Sequence, residues 1–182
     1  MPTRLVTFES AGRTAPGALL GEDAILDLAT LGFADMQAVI EAGAAGLARI
    51  RAAMASPAAT VARAGARLLA PIPRPRRNVF CVGRNYMDHV AEGDRTRGIQ
   101  NSELPKFPQF FTKAPECVIA DGDAIPDHGA SGVTKWLDYE AELALVVGAP
   151  GADIAPEAAL GHVFGWTIAN DVTGRDLQRR YG

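Results

Sequence analysis

The fold of this chain is decided by the stretch Leu137-Asp138-Tyr139-Glu140-Ala141-Glu142-Leu143-Ala144-Leu145-Val146-Val147-Gly148. Its second half is an unbroken apolar run, Leu143 to Val147, which ends at a glycine and predicts a buried strand. Because side chains alternate along a strand, we expect Glu140 and Glu142 on the same face. Two carboxylates held side by side repel each other, and burying them without compensation is costly. We therefore predict that this strand carries half of a metal site.

The composition is that of a soluble globular protein, with 182 residues, 48% hydrophobic, 21% charged, and a formal net charge of -3. No broad basic face suggests a nucleic-acid partner. No apolar run approaches the roughly 20 residues that a membrane helix needs, and the N-terminus lacks the apolar core of a signal peptide. The two cysteines, Cys81 and Cys117, do not indicate export. We expect a cytoplasmic protein that binds neither nucleic acid nor membrane.

The first part of the sequence, residues 1–70, is predicted to be a small accessory domain used for packing or dimerisation. A strand is expected at residues 5–8, a turn-rich break at 12–17, and a hairpin that pairs 18–20 with 24–28. Apolar residues recur at helical spacing over 35–55, although two glycines weaken the middle. Residues 71–77, with three prolines, are predicted to be an extended linker.

A strand over 78–83 is followed by a pattern of one or two helical turns that contains His89 and Glu92. Because these two residues are three apart, they can face the same side of a helix and touch. A carboxylate beside an imidazole fixes its tautomer and raises its basicity, as a general base requires. The alternative is an ordinary surface pair. A second strand, over 107–113, is expected to end at Lys113.

Further along the chain, short strands are expected at 118–119 and 124–126, and His128 is expected to be exposed in a Gly-rich loop. The apolar segment 163–169 predicts another strand, which leads to Asp171. A carboxylate at a strand end can supply a third ligand beside Glu140 and Glu142. Three hard carboxylate oxygens suit magnesium, manganese or calcium.

Three motifs in this order resemble the fumarylacetoacetate hydrolase family. They are Gly83-Arg84-Asn85-Tyr86 followed by His89 and Glu92, Asp138-Tyr139-Glu140-Ala141-Glu142-Leu143, and Asn170-Asp171-Val172-Thr173-Gly174-Arg175-Asp176. The resemblance covers roughly residues 78–182, and the segment before it resembles the small N-terminal domain that many members carry.

The resemblance implies an α+β, predominantly β fold, a mixed β-sheet roll of the family's type preceded by a small N-terminal α/β accessory domain. Residues 78–182 would form the catalytic domain. The resemblance also implies a homodimer and a divalent metal, Mg²⁺ or Mn²⁺ with Ca²⁺ possible. The residues that it assigns are the metal ligands Glu140, Glu142 and Asp171, the catalytic His89, Glu92 and Lys113, and the substrate-binding Arg84, Tyr86 and Arg175.

The implied activity is hydrolysis of a carbon–carbon bond in a β-diketo or 2-oxo acid, such as an acylpyruvate or a fumarylacetoacetate-like compound. A metal-stabilised enolate forms as the bond breaks, and His89, oriented by Glu92, activates the water. The same enolate permits isomerisation, decarboxylation or hydration of unsaturated 2-oxo diacids.

Two departures from the family pattern bear on this expectation. Gly174 stands where members more often have alanine, and members continue well beyond residue 182. Two other interpretations therefore stay open: a non-catalytic fragment or dimerisation partner that keeps the motifs, and a calcium site that only stabilises the fold.

Overall fold

The computed structural model describes residues 2–87, 105–126, 128 and 131–181. By their contacts the residues form two compact units, one of Met1–Pro71 with Asp121–Gly182 and one of Ile72–Ala120. The sequence-based division into 1–70, 71–77 and 78–182 follows motifs and not contacts, and it stays a prediction. No helix in the described part of the chain is long and apolar enough to cross a membrane.

The N-terminal part of the first unit is a five-stranded antiparallel sheet with the order β4-β3-β2-β1-β5. Its strands are β1 Leu5–Ser10, β2 Arg13–Leu20, β3 Ala24–Asp27, β4 Thr60–Ala62 and β5 Arg67–Leu69. The predicted strand at 5–8 and the predicted hairpin are confirmed, since Ala18 lies opposite Leu26 and Leu20 opposite Ala24.

The predicted break at 12–17 is wrong, because the turn before β2 needs only two residues. Ala11 and Gly12 have φ angles of 49° and 74°, which suit the tight turn of a two-residue hairpin. Ser10 therefore pairs with Arg13, and β2 runs alongside β1 through Pro16, which lies opposite Thr7.

The predicted helical region over 35–55 is confirmed, but it forms two helices, α1 Met36–Glu41 and α2 Gly43–Ala55. Asp35 caps α1 through a 2.8 Å hydrogen bond from the backbone N–H of Ala38. Gly43 separates the helices, and its φ of +54° explains why a glycine stands there. The largest fully buried side chains of the described chain lie in this N-terminal part: Phe8, Pro16, Ile25, Leu26, Leu28, Val39 and Ile50.

The C-terminal part of the same unit contains two antiparallel strand pairs. Strand β8 Leu137–Asp138 pairs with β11 Thr173–Gly174, and β9 Ala141–Val147 pairs with β10 Val163–Asn170. The helices here are α3 Pro156–Ala159 and α4 Arg175–Tyr181. The 3-10 turns of the described chain include Leu28–Leu31, Arg63–Gly65, Pro115–Cys117 and Leu160–His162.

Strand β9 forms as predicted, but the prediction that its apolar run is buried is wrong. Burial alternates along the strand, and Leu143, Leu145 and Val147 are 61%, 51% and 61% exposed. Trp166 and Ile168 lie opposite Leu145 and Leu143 on β10 and are exposed as well. An unbroken apolar run is typical of a strand covered on both faces, whereas one face of this strand pair is open.

The second unit contains the predicted strands β6 Val79–Gly83 and β7 Gln109–Lys113, which pair so that Val79 lies opposite Lys113. Neither of the short strands predicted at 118–119 and 124–126 is present. The backbone N–H of Val118 instead donates to Pro115 in a 3-10 turn, and Pro126 has no N–H to offer a sheet. No disulfide joins Cys81 and Cys117.

Candidate active site

The register of β9 and β10 places the three predicted carboxylates on the same side of this strand pair. Glu142 lies opposite Ala169, and Glu140 stands two residues before Glu142. Asp171 stands two residues after Ala169. Because side chains alternate along paired strands, Glu140, Glu142 and Asp171 belong to one face of the pair. The exposed Leu143 belongs to the other face.

One backbone hydrogen bond extends this pairing by one residue beyond the strand ends, and one hydrogen bond from backbone to side chain supports it. The N–H of Asp171 donates to the carbonyl oxygen of Glu140 at 2.8 Å, and the N–H of Glu140 donates to Oδ1 of Asn170 at 3.0 Å. The backbones of two predicted ligands are therefore joined directly. The Oδ1 atom of Asp171 is shielded from solvent.

Both carboxylate oxygens of Glu140 accept a hydrogen bond from a side chain near the start of α4. Nη2 of Arg175 lies 2.8 Å from Oε1, and the hydroxyl of Thr173 donates to Oε2 at 2.9 Å. The same hydroxyl lies 3.0 Å from the backbone carbonyl oxygen of Asp171. The cation that contacts Glu140 in this structure is therefore the guanidinium of Arg175.

Arg175 connects several acceptors through one planar group. Its Nε donates to Oδ2 of Asp138 at 2.8 Å, and its Nη1 donates to Oε1 of Gln178 at 3.1 Å. The side chains of Arg175 and Glu140 are only 18% and 15% exposed. Burial alone would lower the pKa of Arg175, but hydrogen bonds and charge attraction with Glu140 and Asp138 outweigh it and raise the pKa.

The start of α4 is held in place by the segment that precedes β8. The backbone N–H of Arg175 donates to the carbonyl oxygen of Trp136 at 2.8 Å. Asp176 accepts hydrogen bonds from the hydroxyl of the buried Thr134 and from the backbone N–H of Lys135. The Thr134 bond, followed by the Lys135 bond, lowers the pKa of Asp176. These contacts fix the point from which the Arg175 side chain extends.

Three further predicted residues belong to the second unit. Lys113 ends β7 in the unit of Ile72–Ala120, and Arg84 and Tyr86 follow β6 in that unit. Arg84 has a φ of 54°, an uncommon conformation for a residue with a side chain, and it borders a cavity of about 170 Å³ with Val82 and Phe107. His89 and Glu92 lie outside the described residues.

Within residues 2–87, 105–126, 128 and 131–181, no three His, Cys, Asp or Glu side chains converge closely enough to hold a metal ion together. The arrangement brings the predicted ligands Glu140 and Asp171 together through their backbones and through Thr173. The assignment of Glu140, Glu142 and Asp171 as a ligand set stays a prediction.

The sequence analysis gave no role to Asp138, which binds the same Arg175 as Glu140, or to Thr173, whose hydroxyl donates to Glu140. Both lie inside the quoted motifs, and the register pairs them with each other across β8 and β11. The available signal was spacing, because Asp138 stands two residues before Glu140 and Thr173 two residues after Asp171. Alternation along extended backbone places such residues on the same side.

Comparison with known proteins identifies the class to which this sheet-dominated fold belongs. A solved structure of fumarylacetoacetate hydrolase from the psychrophilic Exiguobacterium antarcticum superposes with a TM-score of 0.75 at 35% sequence identity, covering 99% of this chain and 59% of that one. The model of the fumarylacetoacetate (FAA) hydrolase C-terminal family matches residues 78–182. The chain belongs to the fumarylacetoacetate hydrolase family.

Two curated relatives carry a more specific name. Oxaloacetate tautomerase YisK of Bacillus subtilis (strain 168) is 46% identical over 112 residues, which are 62% of this chain and 35% of that protein. The mitochondrial oxaloacetate tautomerase fahd2 of Xenopus laevis is 39% identical over 114 residues, which are 62% of this chain and 32% of that protein. The chain thus spans about a third of the length of these relatives.

Proposed function

We propose that this chain carries the site of a metal-dependent enzyme that forms the enol or enolate of a small 2-oxo acid, and that keto–enol tautomerisation of oxaloacetate is its leading reaction. The observation that carries the proposal is the junction of Glu140 and Asp171 at the ends of β9 and β10, on the side that Glu142 also faces. The names of the two tautomerases support the choice of reaction.

The proposed metal ligands are Glu140, Glu142 and Asp171, and the proposed ion is Mg²⁺ or Mn²⁺, with Ca²⁺ as the third choice. The fit rests on donor chemistry, since all three side chains offer carboxylate oxygens and one of them, Asp171, is shielded from water. A bound divalent ion would supply Lewis-acid polarisation of a 2-oxo carbonyl.

His89 and Glu92 are the proposed proton-transfer pair. Tautomerisation moves a proton from the carbon beside the 2-oxo group to the carbonyl oxygen, and an imidazole oriented by a carboxylate is suited to both halves of that transfer. Lys113, Arg84 and Tyr86 are proposed to line the substrate pocket. These roles come from the family motif.

The second candidate reaction is hydrolysis of a carbon–carbon bond in an acylpyruvate or a fumarylacetoacetate-like acid. The fumarylacetoacetate hydrolase of Exiguobacterium antarcticum favours this reaction, because 99% of the present chain matches that structure. Here the same pair would activate a water that adds to the remote carbonyl, and cleavage of the carbon–carbon bond would release a carboxylic acid and a 2-oxo acid. A cytoplasmic homodimer is proposed for both reactions.

The experiment that tests the proposal follows two substrates by ultraviolet absorbance with Mg²⁺ or Mn²⁺ present. Acceleration of oxaloacetate enol loss without release of pyruvate identifies tautomerisation, whereas loss of acetylpyruvate with release of pyruvate identifies hydrolysis. Because free metal ions also promote enolisation, each rate is compared with metal alone and with Glu142→Gln. Rates equal to metal alone on both substrates would favour the non-catalytic fragment.

A further inference from the structure

The carboxylate of Glu140 is fixed from two directions by two different side chains. Oε1 contacts Nη2 of Arg175 and Oε2 accepts from the hydroxyl of Thr173, at 2.8 and 2.9 Å. A glutamate side chain has three rotatable bonds, so one contact leaves its carboxylate free to turn, and a second contact to the other oxygen fixes its plane. A carboxylate oxygen has two acceptor lone pairs, so one hydrogen bond to each oxygen does not by itself prevent it from binding a cation.

Arg175 is held by other residues as well, so its orientation does not depend on Glu140 alone. Its Nε donates to Asp138, its Nη1 donates to Gln178, and its backbone N–H donates to Trp136. The rigid fork of a guanidinium can join two carboxylates in a set geometry, which an ammonium cannot do. The orientation of Glu140 therefore depends on Asp138, a residue that Arg175 links to it.

We propose that Thr173 and Arg175 are positioning residues that set the carboxylate of Glu140 for a divalent cation, and that Asp138 sets Arg175. This inference rests on the proposed function, in which Glu140 is a metal ligand. It differs from the role that the family resemblance gives Arg175, which is contact with the substrate carboxylate. The two roles are separable, because a positioning residue affects cation binding when no substrate is present.

The test is calorimetric titration of the 182-residue chain with Mn²⁺ alone. Thr173→Val removes the hydroxyl at nearly constant shape and charge, while Thr173→Ser keeps the hydroxyl. Arg175→Lys keeps the positive charge and loses the fork. Since residues that orient metal ligands typically contribute about 10- to 100-fold to affinity, we expect Thr173→Val and Arg175→Lys to weaken Mn²⁺ binding about tenfold or more, and Thr173→Ser to stay within about threefold of the wild type.

The matched control is Arg67→Lys, which alters another Arg–Asp pair, that of Arg67 with Asp123. It should leave Mn²⁺ affinity unchanged. Thermal unfolding of each metal-free variant separates loss of positioning from loss of fold. Should Thr173→Val unfold, a double-mutant cycle replaces it: Asp138→Asn should weaken binding in the wild type and add nothing in the Arg175→Lys background.

The results of these titrations distinguish failure of the positioning role from failure of the proposed metal-dependent function. If the wild type binds no Mn²⁺, the proposed metal site and the positioning role both fail. If the wild type binds Mn²⁺ and both Thr173→Val and Arg175→Lys bind it equally well, only the positioning role fails. An Arg175→Lys variant with unchanged Mn²⁺ affinity but a raised KM would return Arg175 to the substrate.

Discussion

The backbone N–H of Asp171 donates a 2.8 Å hydrogen bond to the carbonyl oxygen of Glu140. This bond joins two residues that lie far apart in sequence, just where the paired strands β9 and β10 end. It fixes the relative position of their main chains, while the Thr173 hydroxyl lies 2.9 Å from Oε2 of Glu140 and 3.0 Å from the carbonyl oxygen of Asp171. Substitution of either side chain should therefore alter the chemistry of the site more than its backbone.

Asp171→Asn is expected to weaken divalent-metal binding strongly, because an amide oxygen replaces a negatively charged ligand. The loss of Mn²⁺ affinity should reach at least the roughly 10- to 100-fold that outer residues of metal sites contribute, as measured by calorimetry. Asp153→Asn, at an exposed loop position, is the matched control. Equal affinity of Asp171→Asn and the wild type would remove Asp171 from the ligand set.

His89→Ala is expected to abolish turnover while leaving Mn²⁺ affinity within about threefold of the wild type, since the proposed role is proton transfer and not ligation. General acid–base residues typically contribute about 10²- to 10⁴-fold in rate, so a loss of that order is the expected reading on oxaloacetate or acetylpyruvate. His128→Ala, at an exposed histidine, should keep full activity. A parallel loss of metal binding in His89→Ala would contradict this division of roles.

The sequence predicted which segments form strands in the site region, because long apolar runs bounded by glycine and polar residues have few alternatives. It predicted the shared face of Glu140 and Glu142 for the same reason, since alternation is a property of any strand. The exposure of Leu143 could not be predicted from the apolar run, because burial depends on what packs over the strand pair. One face of that pair is open.

The contacts of Arg175 could not be predicted from the sequence pattern. An arginine beside three acids can pair with any of them or with a substrate, and the choice depends on where α4 begins. That start is set by bonds from Thr134 and Lys135 to Asp176, which join segments about forty residues apart in sequence. The hairpin turn at Ala11 was missed for a simpler reason, since alanine rarely adopts its φ of 49°.

Acid should remove the stability that Asp176 contributes. Hydrogen bonds from Thr134 and Lys135 lower the pKa of Asp176 in the folded chain, so folding favours the ionised carboxylate. That contribution is complete above the unfolded pKa, near 3.9, and is lost as the pH falls below it through the lowered folded pKa. Melting temperatures measured from neutral to acidic pH should therefore fall less steeply in Asp176→Asn than in the wild type. Thr134→Val, which removes the first donor, should show the same trend, and an unchanged slope in both variants would contradict the assignment.

Gly17→Ala should destabilise the N-terminal sheet by steric overlap. A Cβ at position 17 would overlap Cγ2 of Ile25 and lie 3.0 Å from the ring of Phe8, and both of these side chains are fully buried. Overpacking of a filled core costs about 1–3 kcal/mol, which denaturant unfolding resolves as a lower midpoint at constant slope. Gly65→Ala is the control, because nothing lies within 4 Å of its added Cβ. If Gly17→Ala and Gly65→Ala unfold at the same denaturant concentration, the sheet can open around residue 17, and the close packing of Ile25 against Phe8 is not what keeps a side chain out.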